Sequence, residues 1–590
     1  MKLIRISRIL GILVILGLLV TVASAQGHPP LPPKPGVDTT PQRVGMERSG
    51  YYESTISLVS KLGGMDPNAG GIIGLTPFSS DDDDDDGWHG RRDILVNQDF
   101  NNRAQNETAI VVDPNDPRHI VTGYNDYRAG WPIGGGFSTS FNRGKTWHDG
   151  LMTFPALIAP ADFPGFAEPP VGTGDPAVAF ANDGTVYHSS IGFSASFCEN
   201  GVFVYRSDNG GVAWWRPVVA LGRGLVDYWP YAFDCSVFLD KEFMTVDTSG
   251  GPHDGRIYVT YTRFFFEGSA SYFESPIYLS YSDDKGETWT VVGEINGSSA
   301  DLCEFQVDAT GGTGPGATGP DATAFDCDEN QFSYPVVGSD GTLYVHFINE
   351  QNQSEWQPAD DFDDQVLVVR VNPDTFAVDG PYQVTMLADG ATNYPFNADG
   401  RQTVCNGGWR LNAVGNIAIG PNDELYTTWA DNRNGDEFPF PTFLNPDGTC
   451  PDGLQTSTDV FISKSMDGGV TWSAAKKISK DPPNFDNWFP WVAVGKNGLV
   501  GVVYYDRRVS GDNTLTDAWV ATSWTGKWWK ELRVSDKSSD FSTAFFGTPS
   551  FIGDYNGLAI AGFRLYPFWT DGRVVGDSDV FMDVVRPNDD

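Results

Sequence analysis

Positive charge, histidine and long apolar runs are all scarce in this sequence, and each shortage removes a class of function. Lysine and arginine together number 39 against 77 aspartates and glutamates, a formal net charge of −38. Nucleic acids and anionic membranes require a basic face, so neither is expected as a partner. The 7 histidines are scattered, and His148, His188, His253 and His346 fall in separate segments without metal-ligand spacing. Six cysteines include no CxxC and no Cys/His cluster, which argues against a structural zinc site. GxSxG, HExxH and a phosphate-binding glycine loop are missing too. No metal or nucleotide cofactor is expected. Past the N-terminus no apolar stretch approaches the ~20 residues that a bilayer span needs, so membrane insertion is not expected either.

The N-terminus is the exception to the shortage of apolar runs. Lys2, Arg5 and Arg8 precede an apolar stretch from Ile9 to Val22, and Ala23-Ser24-Ala25 follows. A basic start, a short apolar run and a small-x-small site read as a secretory signal peptide over residues 1–25. The expected product is soluble, monomeric and secreted, whether extracellular or periplasmic. In that oxidising setting Cys198, Cys235, Cys303, Cys327, Cys405 and Cys450 are expected to form disulfides. Six cysteines allow about fifteen pairings, and sequence neighbours (198–235, 303–327, 405–450) are the expected ones. Residues 26–91 hold "HPPLPPKPG", "MDPNAGGIIG" and "SSDDDDDDGWHG". They read as an extended, disordered lead. The Asp81–Asp86 run reads as a solvated charge block, because calcium needs spaced ligands and a turn glycine.

Aromatics, glycine and proline are abundant (Trp 18, Tyr 22, Phe 38, Gly 67, Pro 39), a composition suited to many short strands joined by tight turns. From Arg92 to the end the chain repeats. "SFNRGKTW" (Ser140 to Trp147), "SDNGGVAW" (Ser207 to Trp214), "SDDKGETW" (Ser282 to Trp289) and "SMDGGVTW" (Ser465 to Trp472) share the pattern S-x-D/N-x-G-x-T/A-W. In such a hairpin the Asp or Asn caps backbone N–H groups, Gly supplies a positive φ and Trp packs between strands. The motif resembles the Asp-box of the sialidase-like (BNR-repeat) propellers.

Around these boxes a longer unit of three to four strands recurs seven times, starting at "TAIVVDPNDPRHIVTGYND" and ending at "GLAIAGFRLYPFWTDGR". The fourth unit has lost its box ("VLVVRVNPDTF"), and the sixth keeps a relic ("ATSWTGKWW"). The last unit lacks an outer strand, while "RDILVNQDF" (Arg92 to Phe100) is a strand without a partner. Pairing the two would close a ring and remove an open edge. The predicted fold for residues 92–590 is therefore all-β, a seven-bladed β-propeller of the sialidase-like Asp-box type closed by an N-terminal strand. Six blades, the number in sialidases, is the alternative.

Up-and-down blades place the boxes on one face and the starts of inner strands on the other, where ligands are expected. Strand starts supply Glu107, Asp175, Asp240, Glu242, Asp554 and Tyr555; of these, Asp175, Asp240, Glu242 and Tyr555 are the candidate catalytic residues. Second strands end in a recurring aromatic-x-Asp-x-Arg that supplies Arg128, Arg433, Arg508 and Arg573 as candidate substrate-binding residues. Period-two spacing puts each Asp and Arg on the same side of its strand. The guanidiniums then either clamp a ligand carboxylate or pair with their own aspartates. The resemblance implies an exo-acting sialidase that hydrolyses terminal acidic sugars. Such enzymes use three arginines on the substrate carboxylate, an Asp acid/base and a Tyr nucleophile assisted by Glu. The family's early Arg-Ile-Pro-type motif is absent here, so its first arginine has no counterpart by motif. Tyr555 with Asp554, or Tyr505 beside Arg507, are the candidate nucleophile sites. The alternative is a non-catalytic extracellular propeller binding a glycan or protein. Arginines gathered around one pocket would favour the enzyme, and arginines tied to their own aspartates the binder.

Overall fold

The computed structural model describes residues 93–587, other than 100–102, 130–132, 155–171, 195, 219–220, 232–233, 267–271, 304–325 and 352–362. The segments read as a signal peptide and a disordered lead, including the acidic run, lie outside the described residues. The described chain forms a seven-bladed β-propeller of antiparallel sheets. Inner strands of blades 1 to 7 are Gln105–Val112, Gly172–Phe180, Val237–Val246, Asn330–Val337, Ile417–Ile419, Asn487–Val494 and Gly557–Ala561. In blades 1 to 6 each is followed outward by strands in sequence order, a meander, whereas blade 7 takes its outermost strand from the start of the described chain.

Burial follows the radial order. Second strands such as Ile120–Asp126, Leu343–Asn349 and Val500–Asp506 are buried at every residue, because neighbouring blades cover both of their faces. Outer strands such as Thr290–Glu294 and Lys530–Arg533 meet water.

The four Ser-x-Asp/Asn hairpins share one hydrogen-bond pattern. In the first, Ser140 Oγ accepts from Gly144 N (2.8 Å) and Asn142 Oδ1 accepts from Thr146 N (2.9 Å). The same bonds recur at Ser207/Asn209, Ser282/Asp284 and Ser465/Asp467. Gly144, Gly211, Gly286 and Gly469 take φ of +83°, +82°, +81° and +85°, a region where a Cβ is strained. Trp214 is fully buried and Trp147 nearly so. Blade 4 replaces the motif with a turn in which Asn372 Oδ1 accepts from Asp374 N and Thr375 N. Blade 6 keeps the plug, with Trp529 Nε1 donating to Gly526 O (3.2 Å).

Ring closure follows the sequence expectation. Ile94–Leu95 pairs antiparallel with Asp579–Met582 as the outermost strand of blade 7, with Ile94 opposite Met582. Seven sheets set aside the six-blade alternative. All three disulfides join sequence neighbours: Cys198–Cys235, Cys303–Cys327 and Cys405–Cys450.

The closing strand is latched electrostatically. Arg573 bonds Asp571 (2.8 Å), Asp536 (2.7 Å) and Asp93. Burial, with Asp536 alongside, pushes the Asp93 carboxyl up to about 8. An acid whose folded pKa is raised gives stability that is full below its unfolded value near 4 and is lost as pH rises through the folded value. Thermal melting is therefore expected to fall between roughly pH 5 and pH 8. Asp93→Asn should flatten that decline by up to one proton's worth, about 1.4 kcal/mol per pH unit. Melting curves for the two chains across this range check it.

Candidate functional site

Five inner strands carry a one-residue bulge near their start, with register shifts at Asn106/Ala109, Gly174/Ala177, Asp240/Phe243, Gln331/Tyr334 and Trp488/Trp491. The bulged residue sits in the left-handed region each time: Glu107 (φ 55°), Asp175 (55°), Lys241 (51°), Phe332 (56°) and Phe489 (48°). Side chains there cost about 1–3 kcal/mol each, and such strain clusters where a side chain must be aimed. Blades 1 to 3 thus present a glutamate, an aspartate and a lysine by the same backbone device that presents phenylalanine in blades 4 and 6. Gly553 (φ 89°) packs where an added Cβ would lie 2.8 Å from Glu107 N, bringing the segment before blade 7 against the first bulge.

Lys241 is the hub. Its Nζ lies 2.6 Å from Asp554 Oδ2, 3.2 Å from Asp175 Oδ2 and 3.6 Å from Glu107 Oε1, and it sits 5.6 Å from the Phe332 ring centroid. Arg410 grips the same Asp554 with two nitrogens, Nε at 2.8 Å from Oδ1 and Nη2 on Oδ2. The Asp554 carboxyl, flanked by two cations, is held far below the usual range although burial opposes this. Glu107 accepts from Asn125 Nδ2 (2.7 Å), whose Oδ1 accepts from Asp175 N (3.1 Å).

These carboxyls are driven apart in acidity. Burial raises Asp175, but the Lys241 ammonium and hydrogen bonds outweigh it and leave the group lowered. Burial and the Asp175 charge push Asp240 up to about 7 against the pull of Lys241. Glu107 and Glu242 are raised well above the ordinary value by burial and by Asp175. Asp175 and Asp240 each keep 6 % exposure and Arg410 8 %, whereas Glu107 and Glu242 keep none. Asp175, Asp240 and Arg410 are thus the members of the cluster nearest to solvent, though all are buried.

Of the catalytic candidates from sequence, Asp175 and Asp240 meet in this cluster, and Glu242 lies buried beside them. The Tyr555 hydroxyl donates to Pro176 O (3.3 Å), next to Asp175. Burial, then Glu107, Asp175, Glu242 and Asp554, keep this phenol protonated. Tyr505 lies apart, donating to Thr570 O (2.6 Å).

The four repeated arginines do not join this cluster. Arg128, Arg433, Arg508 and Arg573 bond Asp126, Asp431, Asp506 and Asp571 of their own motifs at 2.7, 2.8, 2.7 and 2.8 Å. Arg128 also meets Asp149, and Arg508 meets Glu531 (2.8 Å), both on outer strands, so these guanidiniums lean outward from the axis. Arg433, Arg508 and Arg573 lie 4.5, 4.2 and 4.1 Å from the centroids of Phe461, Trp519 and Phe581.

Lys241 and Arg410 were missed by sequence reasoning. Lys241 stands between two singled-out acids, and that adjacency was its signal. Arg410 comes from the connection between blades 4 and 5, outside the repeat, and its partner is 144 residues away. Arg507 fixes this connection: fully buried between Trp409 and Trp488, it donates to Cys405 O (2.8 Å) and Asn406 O (2.9 Å).

The two faces are distinct. His119, in the first hairpin of blade 1, contacts Gly210 O of the blade 2 Ser-x-Asn turn (2.9 Å). The Lys241 cluster occupies the opposite ends of these strands.

No protein-family description and no curated protein matches the chain. Solved structures do. A protein of unknown function from Dyadobacter fermentans is 12 % identical with a TM-score of 0.41, covering 84 % of this chain and 98 % of that one. A Hadza microbial sialidase is 16 % identical with a TM-score of 0.36, covering 68 % and 63 %. An α-L-arabinofuranosidase of Fusarium graminearum is 12 % identical with a TM-score of 0.39, covering 84 % and 97 %.

Proposed function

We propose that the chain is an exported glycoside hydrolase of sialidase-like type acting on terminal acidic sugars, with Asp240 as proton donor and Asp175 as its ionised partner. The observation that carries this reading is the contrast within one pair: neighbouring buried carboxyls beside Lys241, one raised to about 7 and one lowered. Environments that push two titratable groups apart assign acid and base roles. Glycoside cleavage needs such a pair, because the leaving oxygen takes a proton while positive charge develops at the anomeric carbon. Asp240 supplies the proton, and the Asp175 charge stabilises the cationic centre. Arg410 spends two nitrogens on Asp554 and retains further N–H donors, which suit a sugar carboxylate. The disulfides fit an oxidising, extracytoplasmic setting.

A non-catalytic glycan- or protein-binding propeller is the second reading, and the four arginines tied to their own aspartates favour it. Release of fluorophore from an aryl sialoside by the purified chain separates the two. Turnover supports the hydrolase, and binding without turnover supports the binder.

A further inference from the structure

We propose that the hairpin face of blades 5 to 7, opposite the Lys241 cluster, binds an acidic polysaccharide chain. Three large rings stand in water there: Trp528 is 84 % exposed, Phe563 64 % and Trp524 48 %. Trp524 and Phe563 are neighbours, with centroids 6.0 Å apart, and Asn497 Nδ2 donates to Gly562 O (2.8 Å), bringing the turn that bears Lys496 to the same place. Monomeric proteins seldom leave contiguous apolar surface open without a use for it.

Among the described residues Lys464, Lys476 and Lys480 make no side-chain ion pair, although Glu531 lies beside the Lys480 backbone. Lys476 Nζ bonds Lys527 O, and Lys480 Nζ bonds Trp529 O (2.6 Å). Lys464 Nζ lies 4.8 Å from the centroid of Tyr426, a ring that also packs on Gly526. Two carbonyls and a ring hold these ammonium groups in place. In a chain with 77 acidic and 39 basic residues, these blade 5 cations gather positive charge beside Trp528, since Lys476 and Lys480 reach the carbonyls of Lys527 and Trp529 on either side of it.

An anion with apolar faces fits this surface, and a carboxylated or sulfated sugar chain is one: its ring faces stack on indole and its charges meet lysine. A flat anionic bilayer fits less well. It would bring much of a face of this −38 protein within a Debye length of about 8 Å, whereas a flexible chain touches the patch alone. The 57° angle between the Trp524 and Phe563 rings likewise suits a polymer that turns between sugars. The patch is independent of catalysis at the other face.

Affinity electrophoresis of the full chain through gels containing polygalacturonate, dextran sulfate or neutral dextran tests this, beside co-sedimentation with phosphatidylglycerol vesicles. Retardation by either acidic polymer and not by neutral dextran is expected, weakened about tenfold in Trp528→Ala and in Lys476→Gln/Lys480→Gln, and abolished by high salt. The two acidic gels tell carboxylate from sulfate as the preferred group. Trp528 is exposed, so its loss leaves the fold intact, which the unchanged melting temperature should show. Asp240→Asn should be retarded like the wild type, so a catalytic failure leaves this result standing. Equal migration in all gels, retardation indifferent to Trp528→Ala, or vesicle binding exceeding that of both polymers would overturn the proposal.

Discussion

Lys241→Met is expected to lower the stability of the chain at pH 7 by about 3–5 kcal/mol, the cost of leaving buried charge without its partner. One ammonium faces Asp554, Asp175 and Glu107 inside the ring. Glu107 already favours its neutral form, and Asp554 would retain Arg410, so most of the loss falls on Asp175. Methionine keeps the length of the side chain and fills the space beside Phe332, leaving charge as the main difference. The pH dependence follows from the signs. Asp175 and Asp554 have lowered folded pKa values, so the stability they provide with Lys241 is present above their unfolded values near 4 and is lost as pH falls further. Without Lys241, burial would raise Asp175 above its unfolded value, and the variant would regain stability as pH drops from 7 towards 5. Urea unfolding at both pH values checks this: the deficit should be clearly smaller at pH 5. A deficit below about 1 kcal/mol, or one equal at both pH values, contradicts the hub role of Lys241.

Asp240→Asn is expected to do the reverse, sparing the fold and removing the chemistry. Burial and the Asp175 charge already favour the protonated Asp240 carboxyl, and an amide replaces a neutral acid at nearly the same volume. Stability should change by less than about 1 kcal/mol. Turnover should fall by about 10²–10⁴, the usual contribution of a positioned proton donor. The loss should depend on the leaving group. A sugar leaving group needs protonation and should show the whole effect, while an aryl leaving group departs without it and should show little. Comparing kcat for an acidic disaccharide and an aryl glycoside, in wild type and variant, measures this. Equal losses on the two substrates would remove Asp240 from the proton-donor role.

The frame was legible in the sequence because its determinants are local. A serine, an Asp or Asn two residues on, a glycine with positive φ and a tryptophan plug specify the same hairpin wherever they occur. The closing strand was visible as an unpaired segment at one end and a missing strand at the other. Asp175, Asp240 and Tyr555 stood out because they interrupt the repeat at strand starts. The bulge that aims Glu107, Asp175 and Lys241 was not legible: the same left-handed position holds phenylalanine in two other blades, so residue type did not mark it. Arg410 was hidden because only ring closure brings its connection to Asp554. The aromatic-x-Asp-x-Arg motif shows how one spacing serves two readings. Period two puts Asp and Arg on one side of a strand, and that proximity is what ties Arg433 to Asp431 and Arg508 to Asp506.

The pH profile of kcat/KM on an acidic disaccharide is the measurement to make on the paired carboxyls. Asp175 ionised beside a protonated Asp240 should give activity that falls on the alkaline side with a midpoint near 7, a limb that disappears from the residual activity of Asp240→Asn. A flat profile through this range, or an alkaline limb that persists in Asp240→Asn, would show that the two groups do not divide the work of a glycosidase.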